Sequence, residues 1–365
     1  MAELLTSPLH DRHVALGAKF AEFGGWSMPL QYSSIVAEHK AVRDGVGLFD
    51  VSHLGKAQVT GPGAKDFVNR CFTNDLAKIG PGQAQYTMCC NEAGGVVDDL
   101  IQYLRSDDDV FLIPNAANNT EVVALLTAAA PDGITVTNQH GDHAVLAVQG
   151  PKSDEVLAKL GAEADFDYMQ FREGSVDGRA LTICRTGYTG ERGYELVCRV
   201  EDAPAVWDAV MSAGEEYGIT ACGLGARDTL RTEMGYALHG HELSLDITPV
   251  MALAAWAVGW DKDEFWGADA LRAQRAEGPA RRIRGIRSTG RAIPRPGMDC
   301  VDGEGSVVGT VTSGTFSPTL GIGIGLALLD DEYKPGTEVG VVVRKSTETF
   351  DVVKPPFVET QVRES

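Results

Sequence analysis

Basic residues are scarce in this chain. Its 365 residues include 51 Asp and Glu against 32 Lys and Arg, a formal net charge of −19. A surface of that sign repels phosphate, which excludes nucleic acid as a general partner. Long apolar runs are missing too. No stretch reaches the roughly 18 residues a membrane-crossing helix needs, so no membrane partner is expected. The opening MAELLTSPLHDRH lacks a basic head leading into an apolar core, so it does not read as a secretory signal, and the cytoplasm is the expected compartment. Cysteines number seven (Cys71, Cys89, Cys90, Cys184, Cys198, Cys222 and Cys300), an odd count without a CxxC pair. That argues against a zinc ribbon or a c-type haem. Several lie in apolar stretches, as free buried thiols do, which points to a reducing compartment. Cys89 and Cys90 are adjacent, and on a strand adjacent side chains point to opposite faces, so they read as packing residues. GxSxG, HExxH and P-loop motifs are absent, and LGIGIG at 320–325 has neither the GxGxxG spacing nor a following helix. His239 and His241 resemble a metal pair but have no third ligand nearby. A structural or hydrogen-bonding role is expected of them and of His53, and neither metal nor flavin is expected.

What is present is ordinary soluble-enzyme composition, 44% hydrophobic and 23% charged, in a chain long enough for two or three domains with a sizeable core. Helical spacing runs over 34–46, with Ile35, Val36, Val42 and Val46 on one side. Residues 48–61 read as a strand and turn, 84–116 as three strands, and 118–130 as a helix capped by Asn or Thr. A strand, a Gly-Pro turn and a helix follow over 143–160. Residues 180–200 read as a strand pair around a glycine-rich turn, and 202–218 and 226–235 as helices. Mixed hairpins and helices indicate α+β, not a doubly wound parallel sheet. Residues 261–285 are polar and read as a connector. Short strands divided by Gly and Pro then indicate a terminal β-barrel or sandwich.

Three constellations could carry chemistry. In NEAGGVVDDLIQY (91–103) a hairpin feeds a strand with adjacent acids. Alternation puts Asp99, Ile101 and Tyr103 on one face and Asp98, Leu100 and Gln102 on the other. One carboxylate then faces a pocket, the other solvent or a capping donor. Paired acids by a turn are commonly just solvated, but an acid within an apolar strand is costly unless paired. In RTGYTGERGYELV (185–197) three glycines permit a closely approached loop, and Glu195 follows between Tyr194 and Leu196. Alone this is a hairpin with one edge carboxylate. Its functional reading is a fork accepting two adjacent N–H groups, as on a pterin edge. In GLGARDTLRTEMG (223–235), Arg227, Asp228, Arg231 and Glu233 suit a surface charge network. The alternative has Arg227 pointing inward. A guanidinium stays protonated and cannot be a base, but it can orient a carboxylate or hold an oxygen.

Seven blocks, in order, are FGGWSMPLQY (23–32), GLFDVSHLG (47–55), CNEAGGVVDDLIQY (90–103), QGP (149–151), RTGYTGERGYEL (185–196), GLGARDTLRTEMG (223–235) and GTVTSGTFSPTLGIGIGLALL (309–329). Together they resemble the T-protein family of the glycine-cleavage system, from about Ser7 to about Phe357. The resemblance implies an α+β, three-domain cloverleaf: two α+β domains, a C-terminal β-barrel-like domain and a central folate channel. The expected boundaries are 1–265 for a folate-binding aminomethyltransferase region of two interleaved subdomains, with 51–140 roughly the second, and 280–365 for the barrel-like domain. The activity implied is aminomethyl transfer, from a lipoylated H-protein to tetrahydrofolate as co-substrate, alongside the other glycine-cleavage components. Carried over residue by residue, Asp99 is the essential acid, Glu195 binds the pterin and Arg227 belongs to the folate site. Tyr86, Asn115, Tyr188, Tyr103 and Leu54 are supporting folate-site positions. Leu54 stands where the family usually has Met, which keeps an apolar wall of similar volume. The segment LHGHEL (238–243) departs from a more usual YGxDI-like one, which puts site roles for its side chains in doubt. The family's C-terminal folate contact has no clean counterpart, Arg363 being the one candidate. The cluster Arg281, Arg282, Arg284 and Arg287 is either a solvated or paired face or a dock for the carrier. The rival readings are a folate-dependent demethylase, which normally carries a flavin domain ahead of the shared unit, and a folate-binding iron–sulfur maintenance protein, which resembles KGCYxGQ where this chain has RTGYTGERGYE.

Overall fold

The segment 48–61, expected as one strand and a turn, is divided between two sheets. In the computed structural model, which describes residues 3–359 and Val362, Gly47–Asp50 joins a six-stranded sheet and Ala57–Thr60 a five-stranded one. His53 and Leu54 lie in the crossing between them. The buried Lys56 holds the crossing in shape, donating from Nζ to the carbonyls of Ser52 (2.7 Å) and Leu54 (2.8 Å).

The six-stranded sheet runs Phe171–Val176, Arg179–Cys184, Gly193–Arg199, His143–Gln149, Gly47–Asp50, Thr220–Cys222. One face, with Leu146, Val148, Tyr194 and Leu196, packs under the helices Ser153–Lys159 and Ala203–Gly214. The other carries Phe49, Val145, Ala147 and Val197 against Tyr103, Phe111 and Ile113 of the five-stranded sheet. That sheet runs Gln83–Cys90, Val96–Ser106, Asp109–Ile113, Ala57–Thr60, Thr135–Asn138. Its far face packs on the helices Ala64–Cys71 and Asn119–Ala129. Period-two alternation therefore serves two cores on each strand. Cys89 lies in the core beneath those helices and Cys90 in another, toward Leu243 and Leu271. All seven cysteines are buried and free.

The terminal strands close a six-stranded barrel around Ile286, Val311, Leu329, Val341 and Phe350, so barrel, not sandwich, is the architecture. The expected connector at 261–285 is instead structured. It holds the helix Ala268–Glu277, whose Leu271 is fully buried, and the first residues of the barrel strand Arg281–Ser288. The arginine cluster is matched by acids of neighbouring barrel strands. Arg281 meets Asp330 (2.7 Å), Arg282 and Arg284 meet Asp331 (2.7 and 2.9 Å), and Arg287 meets Asp351 (3.0 Å). Those four arginines present paired charge, not a free basic dock.

The helix Leu224–Met234 joins barrel to sheets. Arg231 and Glu233, expected on a surface, are buried. Arg231 bonds Glu242 (3.1 Å), Asp228 and Ser313 Oγ (2.8 Å). Glu233 accepts from Arg43, His39, Ser317 and Thr319. So many donors hold its carboxyl down, to about 2, against the burial that opposes ionisation. Breaking one side of such a pair leaves an uncompensated charge and costs about 3–5 kcal/mol. No helix among the described residues is long and apolar enough to cross a membrane.

Candidate functional site

A cavity of about 650 Å³ opens where the two sheets, the Leu224–Met234 helix and the barrel meet. Leu54, Tyr86, Asp99, Tyr103, Asn115, Tyr188, Glu195 and Arg227 all line it. The structure thus gathers into one chamber all eight positions that the resemblance carried over as catalytic or folate-site residues, while Arg363 lies outside the described residues.

Local structure explains each placement. Tyr194, Leu196 and Cys198 face the helix-covered core, so Glu195 and Val197 face the space between the sheets. Among the described residues, the Glu195 carboxylate accepts one hydrogen bond, from Thr186 Oγ1 at 2.5 Å. Thr186 is fixed by Gln149, whose Nε2 donates to its carbonyl and whose Oε1 accepts from Thr189. A Cβ on Gly187 would sit 2.1 Å from Gln149 Oε1, and one on Gly193 2.5 Å from its Nε2 and 2.7 Å from the Val148 carbonyl, so a side chain at either would displace the Gln149 amide. Arg227 lies with its guanidinium carbon 4.8 Å from the Tyr188 ring centroid, and its buried Nη1 has no hydrogen-bond partner among the described residues. A buried N–H left unmet is costly unless a ligand supplies an acceptor. Burial lowers the Arg227 pKa, and Glu195 and Tyr188 oppose that fall.

Asp99 is half-buried, its open side toward the cavity. Tyr86, diagonally across the Gln83–Cys90 and Val96–Ser106 pairing, donates its hydroxyl to Asp99 Oδ2 at 3.0 Å. Asn115 Nδ2 lies 3.0 Å from Asp99 Oδ1. Asp98 is fully buried, which corrects the solvent alternative. It takes the capping donors: Asn115 N (3.0 Å), Asn115 Nδ2 (2.9 Å) and Asn118 Nδ2 (2.7 Å). One amide nitrogen therefore touches both acids, although the alternation expected them apart. A bulge in this strand pair leaves Val97 opposite no partner, just ahead of the two acids. Burial, then repulsion from Asp99, pushes the Asp98 carboxyl up to about 8. Burial raises Asp99 as well, against the hydrogen bonds from Tyr86 and Asn115, so the two acids titrate together.

The model of the GCVT N-terminal domain matches residues 9–262, and that of the glycine cleavage T-protein C-terminal barrel domain matches 281–359. The chain belongs to the glycine-cleavage T-protein family. The aminomethyltransferase of Frankia alni is 60% identical over the full length of both chains, and that of Mycobacterium tuberculosis H37Rv is 57% identical over 99% of each. The crystal structure of glycine cleavage system aminomethyltransferase T from Bartonella henselae superimposes with a TM-score of 0.92 at 35% identity, covering 98% of each chain.

Other chamber residues of this T-protein family member were not marked as site residues by the sequence. Trp256 is 70% exposed at the cavity and stacks on Tyr86, with centroids 5.4 Å apart and planes at 26°. No motif flagged it. His53 lines the wall with a buried Nδ1 that has no partner among the described residues, and burial lowers its pKa to about 3. Asn118, expected as a cap, makes no cap bond and serves Asp98 instead. His241 bonds the Thr312 carbonyl at 2.7 Å, while His239 lines the cavity.

Proposed function

We propose that this chain is the aminomethyltransferase of a glycine-cleavage system. It moves the one-carbon unit of an S-aminomethyl-dihydrolipoyl H-protein to tetrahydrofolate, giving 5,10-methylenetetrahydrofolate, ammonia and the dihydrolipoyl carrier. The observation that supports this most is the convergence, in one aromatic-walled chamber, of a raised-pKa acid, a second carboxylate and an arginine with an unmet N–H.

In this reading Glu195 accepts the paired N–H groups of the pterin edge. Arg227 offers its free N–H to a pterin oxygen, which meets the donor left unpaired in the protein. Tyr188, Tyr103 and Leu54 form the walls, and Tyr86 and Asn115 hold the two Asp99 oxygens. When ammonia departs, the transferred carbon becomes cationic. Asp99, sheltered from water, stabilises that charge and takes up the proton of the first folate nitrogen as it bonds the carbon; attack by the second nitrogen then breaks the carbon–sulfur bond, and its proton goes to the departing thiolate. Its raised proton affinity suits the second task, and its location beside Tyr86 suits the first.

The test is an assay of the purified protein with aminomethyl-loaded lipoyl carrier and tetrahydrofolate. Ammonia and methylenetetrahydrofolate should appear together and require both substrates. Absence of both products, with folded protein and loaded carrier verified, refutes the proposal.

A further inference from the structure

His239 lines the cavity, and no role in the chemistry has been given to it above. Its ring is tied at both nitrogens. Nε2 is 3.0 Å from the Val96 carbonyl, and Nδ1 is 3.0 Å from Asn118 Nδ2. A carbonyl can only accept, so Nε2 carries the hydrogen. The neutral ring then presents a lone pair at Nδ1, which accepts from the Asn118 amide. The other N–H of that amide goes to Asp98 Oδ1 at 2.7 Å. Asp98 in turn receives both the backbone and the side-chain N–H of Asn115, and the same Asn115 Nδ2 reaches Asp99 Oδ1. The bonds form one connected path: Val96, His239, Asn118, Asp98, Asn115, Asp99.

We infer that His239, through Asn118 and Asp98, is a positioning residue that fixes the rotamer of the Asp99 carboxylate. The path explains three facts that chamber walls alone do not. Asn118 abandons the helix end it precedes, Asp98 is fully buried without a cationic partner in hydrogen-bond contact, and a histidine at the cavity wall is bonded at both ends. Asp98 endures burial because three N–H groups meet it, and the Asn118 amide is held in donor orientation by the lone pair on His239. Without that acceptor the amide is free to turn, Asp98 loses a donor, and Asn115 loses part of its anchor.

The inference rests on the reading of Asp99 as the acid of the transfer reaction, and the experiment separates the two. His239→Phe keeps a ring of similar size with no acceptor. His239→Gln can donate to the Val96 carbonyl and accept from Asn118. Both variants, with Asp99→Asn alongside, are assayed in the full transfer reaction after thermal melts establish that they fold. His239→Phe should lower kcat about tenfold while leaving KM for tetrahydrofolate within about twofold, the scale expected for one weakened buried hydrogen bond in the path. His239→Gln should recover most of that kcat. A wild-type kcat in His239→Phe overturns the positioning role. So does an equal loss in both variants, since the ring would then matter only for its shape. If Asp99→Asn is slow while His239→Phe is fast, only the positioning role fails. If Asp99→Asn is itself fast, the reading of the site fails and the positioning role with it.

Discussion

Replacing Glu195 by Gln changes one atom and tests the pterin fork directly. As a carboxylate, Glu195 offers two acceptor oxygens, and Thr186 already donates to Oε2. The amide keeps one acceptor and turns a donor toward a ligand edge that is itself made of donors. One charge-assisted hydrogen bond contributes about 1.5–3 kcal/mol, and the opposed donor pair adds a penalty. The expected loss of about 3 kcal/mol in folate binding corresponds to a roughly hundredfold rise in Kd. The substitution also removes the nearest negative influence on Arg227, whose charged form is already disfavoured by burial. A thermal melt must therefore accompany the titration. The assay is isothermal calorimetry of tetrahydrofolate into the purified variant under reducing conditions. A Kd within about twofold of wild type in a folded variant, less than a single neutral hydrogen bond would give, refutes the fork.

Asp99→Asn keeps the Tyr86 and Asn115 partners approximately in place but cannot take up a proton. Turnover should drop by a factor on the order of 10²–10³, the usual scale for a general acid–base group, with folate Kd little changed. Activity near wild type would remove Asp99 from the chemistry. Because burial raises Asp99 above the ordinary carboxyl range, the protonated and inactive form persists to higher pH, so kcat should climb with pH through a value above 3.8. A limb at or below that value contradicts the burial argument. Glu233 is depressed to about 2, so its stabilising contribution is complete above its ordinary 4.5 and is lost as the pH falls toward 2. Glu233→Gln should cost about 3 kcal/mol at neutral pH by denaturant titration and flatten the acid transition. Lys56 shifts the opposite way: burial lowers it from 10.5 to about 7, so the unfolded chain binds the extra proton between those values and stability rises with pH across them. Lys56→Met should remove a slope of up to about 1.4 kcal/mol per pH unit from that window, and an unchanged slope would show that Lys56 is solvated.

Sequence pattern carried the chamber further than it carried its supports. Glu195 was legible because its neighbours Tyr194 and Leu196 had to point into a core, which left the acid facing the opposite side. Asp99 was legible from the same alternation, but its relation to Asp98 was not. Strand pairing is regular from Asp98 to Leu104, and the two acids meet only through Asn115, which follows the neighbouring strand and donates to both. Arg231 and Glu233 were misread as surface charge, since helical spacing alone cannot tell a solvated stripe from a buried seam against another domain. The arginines of 281–287 were ambiguous for a related reason. Their partners Asp330, Asp331 and Asp351 are distant in sequence and adjacent only once the barrel closes. Trp256 stands in a single 3-10 turn, Ala255–Ala257, and His239 in an irregular segment, where neither period two nor period 3.6 applies, and only tertiary placement gives them meaning.

The chamber wall draws Tyr86 and Asp99 from one sheet, Glu195 from the other, Ile283 and Leu326 from the barrel, and Pro355 from the tail beyond it. Phe357, just after that tail proline, donates its backbone N–H to the carbonyl of Glu233 at 2.7 Å. Residues some two hundred and fifty positions apart, Asp99 and Pro355, therefore share one pocket wall. The chamber is whole only once both sheets, the barrel and the segment beyond it have packed together, so a fault in any one of them opens its wall.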